Sequence, residues 1–357
     1  LKQPAQPWEF RAKPAWQRLI IMLGGVTVNF FLAWLIYGCL SFFNGETSFD
    51  TAKVDAPMNY TSVAKGMGFQ DGDKILKVDG KTQNNLDKLA LDVLLSDEIT
   101  VLRNGKEVTF PTNDDGKAMA FRDENPKAFL TPRFPAVIDS IYNPKTAQAG
   151  LKVGDQVVSV DGKKISYYDE FQETVRNSPG KDIKVDIIRG GAIQPLVLSV
   201  SKEGTLGLAS YKQLKKFYET KHFTFGQSIG RGFTRSIESL TYQVKQFKLI
   251  LRPKTEAYKH VQSPIGIARR LPDTWNWEFI WNFTALFSIG LAFMNLLPIP
   301  GLDGGHALFT IVEMITGRKL SDKAAGYVQS AGMIILLTLM ALTFGKDIYQ
   351  LVADKLF

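Results

Sequence analysis

Residues 295–306, NLLPIPGLDGGH, place a carboxylate and an imidazole three positions apart, just after two prolines. Asp303 and His306 are both side chains that bind metals, and a spacing of three puts them on one face of any helix. The run that leads to Asp303 has no charged side chain over residues 279–302 and is long enough to cross a bilayer. An acidic residue at that depth predicts a functional site. The alternative is that Asp303 caps a cytoplasmic helix, since LDGG also suits a turn.

Two prolines interrupt the helix that this apolar run would otherwise form. Pro298 and Pro300 have no backbone N–H, so in a helix the carbonyls of Met294 and Leu296 would lack their donors. In hydrocarbon such carbonyls are costly unless protein or a water-filled cavity receives them. The sequence therefore predicts broken backbone around Asp303.

Three apolar runs predict the elements that position the motif. They cover residues 19–45, 279–302 and 324–345, and each predicts a transmembrane helix. Basic side chains precede the first run, in a cytoplasmic segment formed by residues 1–18, and they recur between the last two runs. Both charge signals predict one topology, with the motif toward the cytoplasmic leaflet and the chain between the first two runs outside.

An internal repeat lies between the first two runs. Residues 64–81 match residues 147–164 at a constant offset of 82. Each copy continues with a helix-like stretch and a strand hairpin, whose Asn-Gly or Gly-Gly turn suits positive φ. The repeat predicts two small β-rich modules of α+β character, over residues 51–125 and 130–203.

Residues 204–272 connect the second module to the second apolar run. From Phe225 to Leu251, apolar residues recur at spacings of three and four, which predicts an amphipathic helix. The sequence leaves open whether this helix packs on the second module or lies at the membrane surface. Three tryptophans fit an interfacial belt, namely Trp275, Trp277 and Trp281.

The charge and the cysteine content of the chain exclude some classes of function. The 357 residues include 43 basic and 35 acidic side chains, for a formal charge of +8. This excess is typical of flanks that orient membrane helices, and no Arg-rich helix or aromatic-basic array indicates nucleic acid, so the expected surroundings are membrane lipid. Cys39 is the only cysteine of the sequence, which excludes a disulfide framework and a cysteine-based zinc site.

The motifs together resemble a known family. NLLPIPGLDGGH is similar to the N-x-x-P-x-P-x-L-D-G signature of site-2 proteases, the intramembrane zinc metalloproteases, and GVTVN at 25–29 is similar to their G-x-x-x-N element. The repeat resembles PDZ domains of bacterial proteases, which matches the RseP-like subgroup with tandem PDZ domains. The resemblance implies a multi-pass α-helical membrane protein with two inserted extracytoplasmic PDZ-like domains.

The resemblance also implies roles for individual residues. In that family two histidines of an H-E-x-x-H helix and the aspartate of LDG hold a catalytic zinc, so Asp303 would be the third Zn²⁺ ligand and His306 would not be a ligand. The residues implied to hold the substrate strand are Asn295, Pro298 and Pro300. The residues implied to support the site are Gly25, Asn29, Leu302 and Gly304. Judged by residue type alone, Asn29 equally suits a bond to a neighbouring helix, and Gly24 and Gly25 suit close helix packing.

One part of the family's site does not occur in the sequence. No H-E-x-x-H is present, and the histidines are His222, His260 and His306. The family carries that motif, with its catalytic Glu, on a helix before residue 19, so we expect it upstream of Leu1. Genuine loss, as in a pseudoprotease, is the alternative.

The expected function is an intramembrane zinc endopeptidase acting in regulated intramembrane proteolysis and stress response. Its expected substrates are single-span membrane proteins, such as pre-trimmed anti-sigma factors or signal-peptide remnants. We expect a monomer in a bacterial inner membrane, with the PDZ-like modules in the periplasm. The rival function is a non-catalytic membrane scaffold whose PDZ pair binds partners.

Overall fold

The computed structural model describes residues 6, 8–49, 58–82, 85–122, 129–210, 218–269, 271–272, 274–318 and 321–356. The chain divides into two compact units. The helical unit comprises Leu1–Glu46 and Lys221–Phe357, and the β-rich unit comprises Thr47–Thr220.

The described helices and strands alternate in the β-rich unit, whereas the helical unit is almost wholly α-helical. In chain order the α-helices are α1 (Ala15–Phe43), α2 (Ser62–Gly66), α3 (Leu86–Leu95), α4 (Asp114–Arg122), α5 (Pro144–Gln148), α6 (Tyr168–Arg176), α7 (Phe225–Ile250), α8 (Pro264–Ala268), α9 (Trp277–Leu296), α10 (Asp303–Thr316) and α11 (Asp322–Leu356). The strands are β1 (Glu46–Phe49), β2 (Met58–Tyr60), β3 (Lys74–Val78), β4 (Lys81–Thr82), β5 (Glu98–Arg103), β6 (Lys106–Pro111), β7 (Leu130–Pro132), β8 (Ser140–Ile141), β9 (Gln156–Val160), β10 (Lys163–Lys164), β11 (Asp182–Arg189), β12 (Ala192–Ser199), β13 (Leu208–Ala209) and β14 (Tyr218–Lys221). Short 3-10 helices cover Phe10–Ala12, Pro253–Thr255 and Ala257–His260.

Three described helical segments are long and apolar enough to cross a membrane, namely Ala15–Phe43, Trp277–Leu296 and Lys323–Tyr349. They overlap the three apolar runs of the sequence, but their ends differ. The second run does not stay helical to residue 302, because α9 ends at Leu296, immediately before the segment that contains both prolines.

The core of the helical unit lies between α1 and α9. Ala33 and Ile36 of α1 are buried against Ala285 and Ile289 of α9. Helix α7 packs on both of these helices, and its Leu240 joins the same cluster. Helices α1 and α9 are thus held together mainly by small and aliphatic side chains.

Helix α7 confirms the predicted amphipathic helix. Its contact face includes the buried small residues Ser228, Gly232 and Ser236. A β-carbon on Gly232 would lie 2.6 Å from the backbone nitrogen of Gly38, so the two backbones approach closely. Most of the apolar stripe is exposed, with Phe225, Ile229, Phe233, Ile237, Val244 and Leu251, whereas Leu240 joins the core and Phe247 packs edge-to-face on Phe293 of α9. One face of α7 packs on α1 and α9, and its position at the membrane surface stays a prediction.

Helix α11 is tied to the connector before α9 by one buried carboxylate. Asp347 Oδ2 accepts hydrogen bonds from the Ser263 backbone N–H at 2.9 Å, the Ser263 hydroxyl at 2.5 Å and the Gly266 N–H at 3.1 Å. These two N–H groups belong to the start of α8, which has no intrahelical acceptors for them. Asp347 therefore caps α8 and fixes this end of α11.

The β-rich unit contains two antiparallel four-stranded sheets of the same order. One runs β4-β3-β5-β6 and the other β10-β9-β11-β12. The hairpin turns have positive φ at Asn104 and Gly105 (50° and 76°) and at Gly190 and Gly191 (57° and 84°). The expected tight turns are therefore confirmed, and they agree with residues that tolerate left-handed backbone. Paired strands β2 and β7, β8 and β13, and β1 and β14 form two-stranded sheets.

Each four-stranded sheet carries one hydrogen-bonded arginine–aspartate ion pair, which we call the staple. In the first, Arg103 donates to Asp73 from Nε at 2.8 Å and from Nη2 at 2.7 Å. In the second, Arg189 donates to the buried Asp155 at 2.7 and 2.5 Å. Burial raises the pKa of Asp155, but hydrogen bonds from Arg189 and from the Lys152 backbone N–H outweigh it and hold that pKa below its usual range.

Candidate active site

The motif begins where α9 ends. Leu297 is extended, with ψ of 139°, and the chain stays non-helical until α10 starts at Asp303. Within this segment the Ile299 N–H donates to the Leu297 carbonyl at 2.7 Å, and the Leu302 N–H donates to the Ile299 carbonyl at 3.1 Å. Gly301 has φ of +100°, which a side chain would strain. We call residues 297–302 the broken segment.

Asp303 is the first residue of α10 rather than its cap. The N-cap position belongs to Leu302, whose side chain makes no capping hydrogen bond. The carboxylate of Asp303 is exposed, and a β-carbon on Gly25 of α1 would lie 3.9 Å from its Oδ2 atom. Asp303 thus presents an exposed carboxylate toward Gly25 of α1.

Gly304 and Gly305 allow the first turn of α10 to lie directly on the broken segment. A β-carbon on Gly304 would overlap the Leu297 carbonyl oxygen and lie 2.7 Å from the Asn295 carbonyl oxygen. A β-carbon on Gly305 would lie 2.6 Å from the Ile299 carbonyl oxygen. Both glycines are buried. The backbone of the broken segment is therefore held by contact with α10.

Gly332 of α11 supports the broken segment from another direction. A β-carbon at this position would overlap the Pro300 carbonyl group. Gly301 lies against the same part of α11, since its β-carbon position is 3.5 Å from the Met333 backbone nitrogen. The sequence alone does not indicate Gly332, because a single glycine in an apolar run gives no signal of the residue that it contacts.

The remaining residues that the sequence singles out lie around this motif. Asn29 is half-buried and accepts the Ser288 hydroxyl through its backbone carbonyl at 2.9 Å. Asn295 lies in the last turn of α9 and Pro298 is exposed in the broken segment. Gly25 faces Asp303, whereas a β-carbon on Gly24 would meet no atom within 4 Å, so close packing does not explain Gly24.

A catalytic zinc ion takes three protein ligands and leaves one position open. Asp303 fits one such position in chemistry and exposure. His306 is half-buried, and its backbone carbonyl accepts the Thr310 hydroxyl at 3.0 Å. Within the described ranges no three His, Cys, Asp or Glu side chains come together to hold a metal. These ranges therefore contain no complete zinc site, and Asp303 is the candidate ligand within them.

A sequence profile described as peptidase family M50 matches residues 2–339. The chain belongs to peptidase family M50. This family consists of site-2-type metalloproteases, which depend on zinc. The chain is 28% identical over 369 residues to the regulator of sigma-E protease RseP of Escherichia coli, covering 96% of this chain and 80% of that protein. It is 25% identical over 387 residues to protease RseP of Yersinia pestis, covering 96% and 80%.

Among solved structures, a PDZ domain of an SdrC-like protein from Listeria monocytogenes is 20% identical and covers 22% of this M50 chain and 88% of its own, with a TM-score of 0.20. A likeness of that size carries no argument for the fold. The two modules share the same sheet order and the same arginine–aspartate staple.

Proposed function

We propose that this M50 metalloprotease cleaves single-span membrane proteins within the bilayer, with Asp303 as a zinc ligand. One observation carries the proposal: a non-helical segment separates two helices of the helical unit, and it ends at an exposed carboxylate that faces Gly25. Irregular backbone at membrane depth is tolerated where it lines a cavity or is buried in protein. The broken segment is therefore a natural place for chemistry.

The residues of this chain would position substrate and metal. A peptide bond in a membrane helix is shielded by its own hydrogen bonds, so it must be unwound into a strand before attack. The broken segment, which Pro298 and Pro300 keep out of a helical ladder, offers non-helical backbone beside which such a strand would lie. Asn295 borders this segment and would orient the strand. The chemistry that zinc supplies when bound is activation of a water molecule and polarisation of the scissile carbonyl.

We further infer that the β-rich modules lie on the extracytoplasmic face of a bacterial inner membrane. Lys13 and Arg18 stand at the start of α1, Arg318 follows the end of α10, and Lys323 lies in the first turn of α11. Positive charge in short flanks marks the cytoplasmic side. By analogy with the two RseP proteins, a membrane-bound anti-sigma factor is the substrate class that this proposal favours, with the modules excluding substrates that carry a bulky external domain.

The proposal is tested by replacing Asp303 in the full-length protein. Asp303→Ala should abolish cleavage of a single-span substrate in proteoliposomes and lower bound zinc, while membrane insertion stays unchanged because no apolar run is altered. Glu278→Ala is the matched control, since Glu278 is an acidic residue in the first turn of another membrane helix. Activity near wild type in Asp303→Ala would remove the ligand assignment. Absence of zinc from both proteins would favour the non-catalytic scaffold.

A further inference from the structure

An ion pair joins the cytoplasmic end of α1 to the end of α10. Arg18 Nη2 donates to Glu313 Oε1 at 2.6 Å, and Arg18 Nε donates to the Lys13 carbonyl at 3.1 Å. The two side chains are 11% and 20% exposed, so the pair is largely shielded. The residues are 295 positions apart in the chain, which makes the contact purely tertiary.

Each charge is unfavourable to its own helix. Arg18 lies in the first turn of α1, which begins at Ala15, and Glu313 lies in the last turn of α10, which ends at Thr316. The helix macrodipole disfavours a cation at an N-terminus and an anion at a C-terminus. In the docked pair of helices, however, Arg18 lies near the negative end of α10 and Glu313 lies near the positive end of α1. The two charges therefore stabilise the docked arrangement and not the separate helices.

The same two helices contact each other at two further levels. Thr310 Oγ1 lies 3.7 Å from Met22 Sδ, and the Asp303 carboxylate faces Gly25. Rising residue numbers on α10 meet falling numbers on α1, so the helices are antiparallel. Asp303 lies about 15 Å along α10 from Glu313 at 1.5 Å per residue. The ion pair thus lies at one end of α10, and the candidate zinc ligand lies at the other end of the same helix.

A register shift of α10 along α1 would move Asp303 out of position for binding zinc. Sliding one helix past another by a turn moves it about 5.4 Å, whereas a zinc–carboxylate bond is about 2.0–2.2 Å long. Apolar helix surfaces in lipid discriminate weakly between registers, since lipid is as apolar as the side chains. A shielded ion pair discriminates strongly, because a slipped register leaves both charges unpaired.

We propose that Arg18 and Glu313 are positioning residues that set the register of α10 on α1 and thereby place Asp303 for catalysis. The inference rests on the proposed function for its catalytic consequence. Its structural part, the register itself, stands independently. A charge exchange tests both, because Arg18→Glu with Glu313→Arg restores the pair with its polarity reversed.

The activity arm uses the full-length protein in proteoliposomes. Arg18→Glu and Glu313→Arg alone should each lower kcat about 100-fold with KM nearly unchanged, the usual effect of misplacement by an ångström or more, and the double variant should recover most of the loss. Lys13→Glu is the control for the changed charge of the cytoplasmic flank, and it should retain activity. If the double variant stays as impaired as the single variants, or if KM alone rises, the pair does not position the site.

The register arm needs neither zinc nor activity. In a Cys39→Ser background, Met22→Cys with Thr310→Cys should form a disulfide readily, because these two residues are in contact. Adding Arg18→Glu should lower that yield and raise the yield of Met22→Cys with Met314→Cys, one turn further along α10. Adding both charge changes should restore the first pattern. An unchanged cross-linking pattern in Arg18→Glu would overturn the register lock, even if the protein proved not to be a protease.

Discussion

A single methyl group added at Gly304 should slow catalysis strongly, because it displaces the broken segment. In Gly304→Ala the new β-carbon would lie 2.7 Å from the Asn295 carbonyl oxygen and would overlap that of Leu297. Ordinary van der Waals contact begins near 3.4 Å, so the backbone at these two residues must move by roughly 1 Å to remove the overlap. Backbone atoms cannot rotate away as a side chain can. The strain therefore passes into the broken segment and Asp303.

The expected size of the effect follows from that displacement. A misplacement of about 1 Å costs on the order of 100-fold in rate, which corresponds to about 2.7 kcal/mol of transition-state stabilisation. Overpacking of a tight contact costs a further 1–3 kcal/mol or so in stability. Away from such contacts, Gly→Ala inside a helix stabilises by about 1 kcal/mol. Gly304→Ala should therefore destabilise the protein, whereas Gly→Ala at an uncrowded helical position should stabilise it.

The assay compares Gly304→Ala with Gly24→Ala, whose β-carbon meets no atom within 4 Å. For each protein we would measure kcat and KM on a single-span substrate, bound zinc and thermal unfolding in detergent. Gly304→Ala should lose about two orders of magnitude in kcat, and Gly24→Ala should match wild type or be slightly more stable. Turnover of Gly304→Ala within about threefold of wild type would refute the claim that the position of the broken segment controls the rate.

Three further predictions address other parts of the molecule. Because the folded pKa of Asp155 is depressed, its contribution to stability should be complete above about pH 4 and lost as pH falls through the folded pKa. The protection of β9 amides against hydrogen exchange, taken relative to the intrinsic rate at each pH, should therefore fall on acidification in the full chain, and Asp155→Asn should remove that dependence. An Arg189→Met variant with the protection of wild type would contradict the role of the Arg189–Asp155 pair. Replacing Pro298 and Pro300 together by Ala should permit helical hydrogen bonds and slow cleavage with zinc retained; unchanged turnover would remove the role of the broken backbone. Deleting residues 51–203 should admit substrates with untrimmed external domains, and loss of cleavage of trimmed substrates with zinc still bound would indicate recruitment instead of exclusion.

Local sequence rules determined the elements of this protein. Long apolar runs specify helices that can span a membrane regardless of what packs on them, because the bilayer sets the required length. The turns at 104–105 and 190–191 follow from residues that accept left-handed backbone. The interruption before Asp303 follows from two prolines that cannot donate hydrogen bonds. Each of these outcomes depends on neighbours within a few positions.

Which faces of the helices meet was decided by tertiary structure. The periodicity of α7 predicts an amphipathic helix, yet most of its apolar stripe is exposed and the small residues beside it pack against α1. Close backbone approach between helices favours Gly and Ser at such contacts. The period therefore indicated the helix, but not which of its residues meet α1 and α9.

The environment of Asp303 was likewise beyond the sequence. Its residue type and the motif around it indicated a site, whereas its position at the first turn of α10, opposite Gly25, is visible only in the fold. Arg18 in the sequence is one more basic residue before a membrane helix, and Glu313 is an ordinary acid before a loop. Their pairing across 295 positions depends on how two helices dock. Sequence specifies which groups are present, but only long-range packing fixes the distances between them, and the proposed chemistry depends on those distances.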